Sequence, residues 1–166
     1  DVVSMHHYLE HTRDPRDELA AARTALAPGG LLLIEVPDPE RSWARRVGPF
    51  WGPWLQPQHQ HFVPIENLCA ELVEQGFTVV GRERGEAHQP IDYSSFVGML
   101  SQDLAPLPDK PWLPPSTPAQ RAGRLVVLGA SLPLLAAAYV ADLVLSPILR
   151  DRPGGSNTYR VLARRD

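Results

Sequence analysis

The chain has 166 residues, a formal net charge of −3, 43% apolar residues and 21% charged ones. One domain of ordinary size fits that length, wholesale disorder does not fit that composition, and no basic excess argues for a nucleic-acid partner. The single cysteine, Cys69, excludes an internal disulfide framework and a cysteine-based zinc site, which suits a reducing, cytoplasmic setting.

The chain opens on Asp1 and the apolar run Val2-Val3-Ser4-Met5, with no charged leader or cleavage signature ahead of it. Residues 1–5 read as a strand buried on both faces, so the expectation is a chain that has lost its beginning. Such a strand would expose an apolar edge and lower solubility. A helix follows: Asp14 caps it, Pro15 suits its first turn, Asp17 and Glu18 sit where the dipole favours anions, and Leu19, Ala22 and Leu26 share one face. Pro28-Gly29-Gly30 ends that helix, and residues 31–36 form a second buried strand. Strand, helix, strand is a parallel crossover, which places the chain in the α/β class.

Proline is abundant, 18 in all, and 13 of these fall in the windows 37–64 and 90–118. Both windows read as long, stiffened loops. Between them, a helix of about 12 residues starts at Pro64, buries Leu68, Leu72 and Val73 and closes at Gly76. Residues 77–84 alternate weakly, as an edge strand does. Residues 125–141 are 17 consecutive positions without a charge, followed by Asp142 and more apolar residues to Leu149. Gly154-Gly155-Ser156-Asn157 then turns into a last strand, 158–165, in which Tyr159, Val161 and Ala163 alternate with Arg160, Leu162 and Arg164.

Tyr8-Leu9-Glu10-His11-Thr12-Arg13-Asp14-Pro15, then Leu26-Ala27-Pro28-Gly29-Gly30 leading into Leu31-Leu32-Leu33-Ile34-Glu35-Val36-Pro37, resembles the second half of a class I S-adenosylmethionine-dependent methyltransferase acting on small molecules. His59-Gln60-His61-Phe62, Glu66-Asn67-Leu68, Gln75-Gly76-Phe77 and the closing run 156–161 add to the resemblance. It covers residues 1–89 and about 156–166, with 90–155 as a proline-rich and helical insertion before the last strand, a candidate lid. The resemblance implies a Rossmann-like sheet whose first three strands are missing here, the first two strands of this chain being the fourth and fifth of seven. It implies S-adenosylmethionine as cofactor and a small-molecule acceptor. It also implies that Met5, His6 and His7, just past the fourth strand, line the methionine side of the cofactor, mostly through backbone groups. The glycine-rich turn, the ribose-binding acid and the adenine-side polar residue of that family have no counterpart in this sequence. The 166-residue chain is therefore expected to hold half a cofactor site and to bind the cofactor weakly or not at all.

Methyl transfer from a sulfonium is an in-line displacement, so positioning dominates, and a hydroxyl or acidic-carbon acceptor also needs a base. His59 is the first candidate and His61 the second; the competing reading is that both hold their loop through hydrogen bonds to backbone. Glu10 and His11 read as loop-ordering residues. Trp43, Phe50, Trp51 and Trp54 form either a substrate wall or a satellite core. Cys69 reads as packed.

Three alternatives stay open at this level. His7-Tyr8-Leu9-Glu10-His11 fits the H-x-x-E-H pattern of inverted zincins, with Glu66, Glu71 or Glu74 as third ligand. Against it, the helix start at Asp14-Pro15 leaves those histidines on a stub, so no metal is assigned. A non-enzymatic α/β binding module or partner subunit is the second alternative to an enzyme. The third concerns 125–149, which suits a buried or lid helix, a membrane-surface contact or a short span interrupted by Pro133 and Asp142.

Overall fold

The structure, a computed structural model, describes residues 1–54, 57–85 and 90–166. Strand β1 (Val2–His6) pairs in parallel with β2 (Leu31–Pro37), Val2 facing Leu31 and His6 facing Glu35. Helix α1 (Pro15–Ala25) makes the crossover between them. The Asp14 carboxylate accepts the N–H groups of Arg16 and Asp17, satisfying donors that the first turn leaves unpaired. Leu19, Ala22 and Leu26 turn inward as their spacing requires. Gly29 adopts φ +79°, which glycine reaches without a Cβ penalty, and its N–H closes the sheet end on the Arg165 carbonyl.

Helix α2 (Ser42–Val47), helix α3 (Ile65–Glu74) and strand β3 (Phe77–Arg84) follow. The chain then leaves the sheet for α4 (Asp92–Leu104) and α5 (Pro118–Leu149), and returns as β4 (Thr158–Arg165). β4 inserts antiparallel between β2 and β3, so the order is β1-β2-β4-β3 and β3 is an edge strand, as its weak alternation implied. The main core lies where α1 and α3 meet the sheet, around Leu19, Leu32, Ile34, Leu72, Phe77 and Val161. Tyr159 is fully buried among them; its hydroxyl donates to the Val63 carbonyl at 2.7 Å, and burial pushes its pKa well above the usual phenol value.

Several expectations fail: β1 is a largely exposed edge strand, with Val2 66% exposed, and Val73 of α3 is 61% exposed. The window 90–118 is not one long loop. Its prolines stand at 90 and from 106 onward, and the proline-free stretch between them forms α4. In 37–64, prolines 49 and 53 open two short 3-10 turns, Gly48–Phe50 and Gly52–Trp54, and Trp51 is buried in a satellite core with Ala44 and Val47. The aromatic cluster is therefore core rather than wall. The expected domain boundary at 89 falls outside the described residues.

The apolar stretch 125–149 lies within α5, 32 residues and so about 48 Å long. Its start is a capping box: Thr117 accepts the Gln120 N–H at 3.2 Å and donates its own N–H to the Gln120 side chain at 2.8 Å. Pro133 and Asp142 do not interrupt it. Nor is it a buried helix, because only 17% of its most apolar window is covered. Ala138, Asp142 and Ser146 are the buried exceptions; Asp142 is 1% exposed and caps α4, accepting the N–H groups of Tyr93 and Ser94, each at 2.8 Å.

A buried ion pair ties this helical pair to the sheet. Arg41, just ahead of α2, places Nη2 2.9 Å from the Asp92 carboxylate and reaches the Gly154 and Gly155 carbonyls. Trp51 Nε1 donates to the other Asp92 oxygen at 3.0 Å. Burial pushes the Asp92 carboxyl up, opposed by Arg41 and Trp51.

Candidate active site at the carboxyl ends of the parallel strands

β1 and β2 both end at the same rim, the edge where open α/β sheets take their ligands. His6, the last residue of β1, is half exposed and brings Nδ1 to 3.3 Å from Glu35. His7 adopts φ +46°, a left-handed conformation unusual for a non-glycine residue, and its N–H extends the strand pairing to the Glu35 carbonyl at 2.9 Å. That turn swings its ring between two carboxylates. Nδ1 lies 3.1 Å from Glu10 and Nε2 lies 3.6 Å from Glu35. The hydrogen bond to Glu10 outweighs desolvation and raises the His7 pKa. Glu35 is 1% exposed; burial pushes it up, but hydrogen bonds from Arg160 and His6 prevail and hold it below the usual carboxylate range.

A second layer lies beside this one. Glu10 sits in a single 3-10 turn, Leu9–His11, and its carbonyl accepts the N–H groups of Gln60 at 2.7 Å and His61 at 3.3 Å. Those bonds dock the histidine loop onto the turn. His59 is buried, its Nδ1 2.6 Å from the Pro53 carbonyl and its ring 4.5 Å from that of His11 in an edge-on arrangement. Burial lowers the His59 pKa, keeping the ring neutral near pH 7. His61 lines a small cleft with Leu9, Glu10, Val36, Pro37 and Val63, and its buried Nε2 has no hydrogen-bond partner.

The structure thus gathers His6, His7, His59 and His61 around one rim, while the Met5 side chain goes into the core and has only backbone to offer a ligand. The H-x-x-E-H reading does not hold: His7 precedes the 3-10 turn, His11 bonds the Gln58 carbonyl at 3.2 Å, and no helix carries the pair. Glu66 and Glu71 are tied to Arg82 and Arg16 instead. Sequence reasoning missed Glu35 and Arg160. The available signal was a lone carboxylate in the otherwise apolar run 31–36, which burial obliges to find a partner.

Residues 1–81 match the family described as "Methyltransferase domain". A SAM-dependent methyltransferase from Archaeoglobus fulgidus superposes with a TM-score of 0.51 at 19% identity, over 99% of this chain and 59% of that one. The cyclopropane synthase MmaA2 from Mycobacterium tuberculosis gives a TM-score of 0.48 at 17% identity, over 99% of this chain and 55% of the other. The chain spans 50% to 59% of the length of such solved structures. No curated protein matches it.

Proposed function

We infer that this chain, whose residues 1–81 match the family described as "Methyltransferase domain", supplies the methionine-side and acceptor-side half of an S-adenosylmethionine-dependent site that methylates a small molecule. The observation that carries this reading is the gathering of His6, His7 and His61 at the carboxyl ends of a parallel strand pair. The cofactor supplies an activated methyl group. The protein's part is to orient acceptor and sulfonium and to exclude water. The backbone of Met5, His6 and His7, fixed by the left-handed turn, meets the cofactor. His61, which lines the small cleft, takes the acceptor proton. His59 is the weaker base, because burial lowers its pKa. Among the described residues no strand leads into a glycine-rich turn, so turnover is proposed for the polypeptide that also provides the nucleoside side.

Titration of the isotope-labelled chain with S-adenosylmethionine tests the half-site. Amide shifts confined to Met5, His6, His7 and their neighbours at millimolar cofactor are expected. No shift at saturating concentration would sink the reading and leave a non-enzymatic α/β binding module.

We also propose that α5 rests on a membrane surface at the cytoplasmic side. Its polar and small groups, Ser131, Ala138, Asp142 and Ser146, face inward, while Leu132, Leu134, Val140, Leu143, Val144 and Ile148 face out. That is the reverse of a water-soluble amphipathic helix. Arg121 and Arg124 flank one end, Arg150 and Arg152 the other. Two-fold pairing of α5 with a second copy sets arginine against arginine in the antiparallel register and in the parallel one, whereas bilayer phosphates accept both ends. Lying on the surface is favoured over crossing it. α5 departs from β3 through α4 and returns to β4 in the same sheet, and α4, 13 residues or about 20 Å, is too short to be the other crossing arm. Flotation with phosphatidylcholine–phosphatidylglycerol vesicles is expected to carry the chain, and Leu132→Glu with Leu143→Glu to abolish it. A soluble dimer that ignores vesicles would refute the proposal.

A further inference from the structure

Glu10, His11 and His59 each bring one ligand atom to within 4.8 Å of the others. The three come from a 3-10 turn and a loop 48 positions onward, held together by the Gln60 and His61 N–H groups on the Glu10 carbonyl. Their protonation follows from their partners. His59 Nδ1 faces the Pro53 carbonyl at 2.6 Å and His11 Nδ1 faces the Gln58 carbonyl at 3.2 Å. A carbonyl only accepts, so both Nδ1 atoms carry hydrogen and both rings keep their lone pair on Nε2. Imidazoles that bind metals are held in this way, with the far N–H on a backbone carbonyl or carboxylate fixing tautomer and orientation. Glu10 has one oxygen on His7 Nδ1; the other is buried and has no hydrogen-bond partner, in a residue only 2% exposed. A buried carboxylate oxygen left unpaired is costly, so an arrangement that retains one calls for a cation.

We propose that Glu10, His11 and His59 form a binding site for a divalent first-row transition cation, with His7 orienting the Glu10 carboxylate from behind. Two imidazoles and a carboxylate suit zinc, manganese or ferrous iron; magnesium and calcium prefer oxygen-only sets. A tetrahedral zinc with bonds of about 2.0–2.1 Å separates its ligands by roughly 3.4 Å, so the trio must tighten. His11 is exposed and is the member able to swing in, and its open side leaves a coordination position for water or an acceptor oxygen. The site differs from the H-x-x-E-H pattern in both ligands and geometry, because His7 supports the carboxylate and the second imidazole comes from the distant loop.

Binding is measured without S-adenosylmethionine, so its outcome is independent of the methyl-transfer reading. The metal-stripped chain is titrated calorimetrically with zinc alone. One equivalent bound, a loss of at least about tenfold in affinity for His11→Ala and for Glu10→Gln, and no competition from millimolar magnesium are expected. His6→Ala, a rim residue outside the trio, is expected to bind zinc as the parent does. Because Glu10 is buried, circular dichroism accompanies its variant, and exposed His11 carries the test if that variant fails to fold. Absence of bound zinc in the parent, or unchanged affinity in His11→Ala, would overturn the proposal.

Discussion

Helices α3 and α5 are built from much the same apolar alphabet and bury opposite things. α3 turns Ile65, Leu68 and Leu72 into the sheet and leaves Glu66 and Glu74 in water. α5 turns Ala138, Asp142 and Ser146 onto α4 and leaves its large aliphatic residues outside. The contrast shows that burial is decided by what the neighbouring element requires. The sheet offers a broad apolar face. α4 offers the unpaired N–H groups of its own first turn, which the Asp142 carboxylate satisfies.

The joint between these two regions is the sharpest place to break the comparison. Arg41→Met strands the Asp92 carboxylate in a buried site and is expected to cost about 3–5 kcal/mol, read as the urea midpoint. A change of a few tenths would mean that the helical pair is not anchored through this ion pair. Next in size, Leu72→Ala in α3 is expected to cost about 2–5 kcal/mol, because its side chain is fully buried. Leu143→Ala in α5, 47% exposed, is expected to stay within about 0.5 kcal/mol in water. Equal costs for the two would show that α5 is covered in solution and would erase the distinction.

The smallest effect is a pH dependence at the rim. His7 has its pKa raised above 6.5 by Glu10, so it binds its proton more tightly folded than unfolded. The stabilisation it gives is full below pH 6.5 and is lost as pH rises through the raised value. Urea midpoints measured between pH 6 and pH 8.5 are expected to fall with pH in the parent more steeply than in His7→Gln. Parallel slopes would place His7 outside the coupling and weaken its assigned role behind Glu10.

Much of the framework was legible because it rests on local chemistry. Asp14 and Pro15 announce α1 through capping and a fixed φ, Gly29 needs the left-handed turn that ends the crossover, and the alternation at 158–165 follows from a strand with one face on the core. The rim was legible in part. His6, His7, His59 and His61 stood out as residue types, whereas of the Glu35–Arg160 pair only the lone carboxylate in an apolar run was visible, its partner lying 125 positions away.

Sequence alone therefore determined the α/β class, the boundaries of the strands and of the helices that pack on them, and the resemblance that residues 1–81 bear out. Those properties depend on short-range backbone preference and on periodic burial against a single apolar face. Tertiary structure alone decided that Asp142 turns inward, that α5 faces outward, and that Glu10, His11 and His59 converge. Each of these depends on which distant backbone donors and carbonyls come within hydrogen-bonding reach, and pairings of that kind are set by the packing of the whole chain.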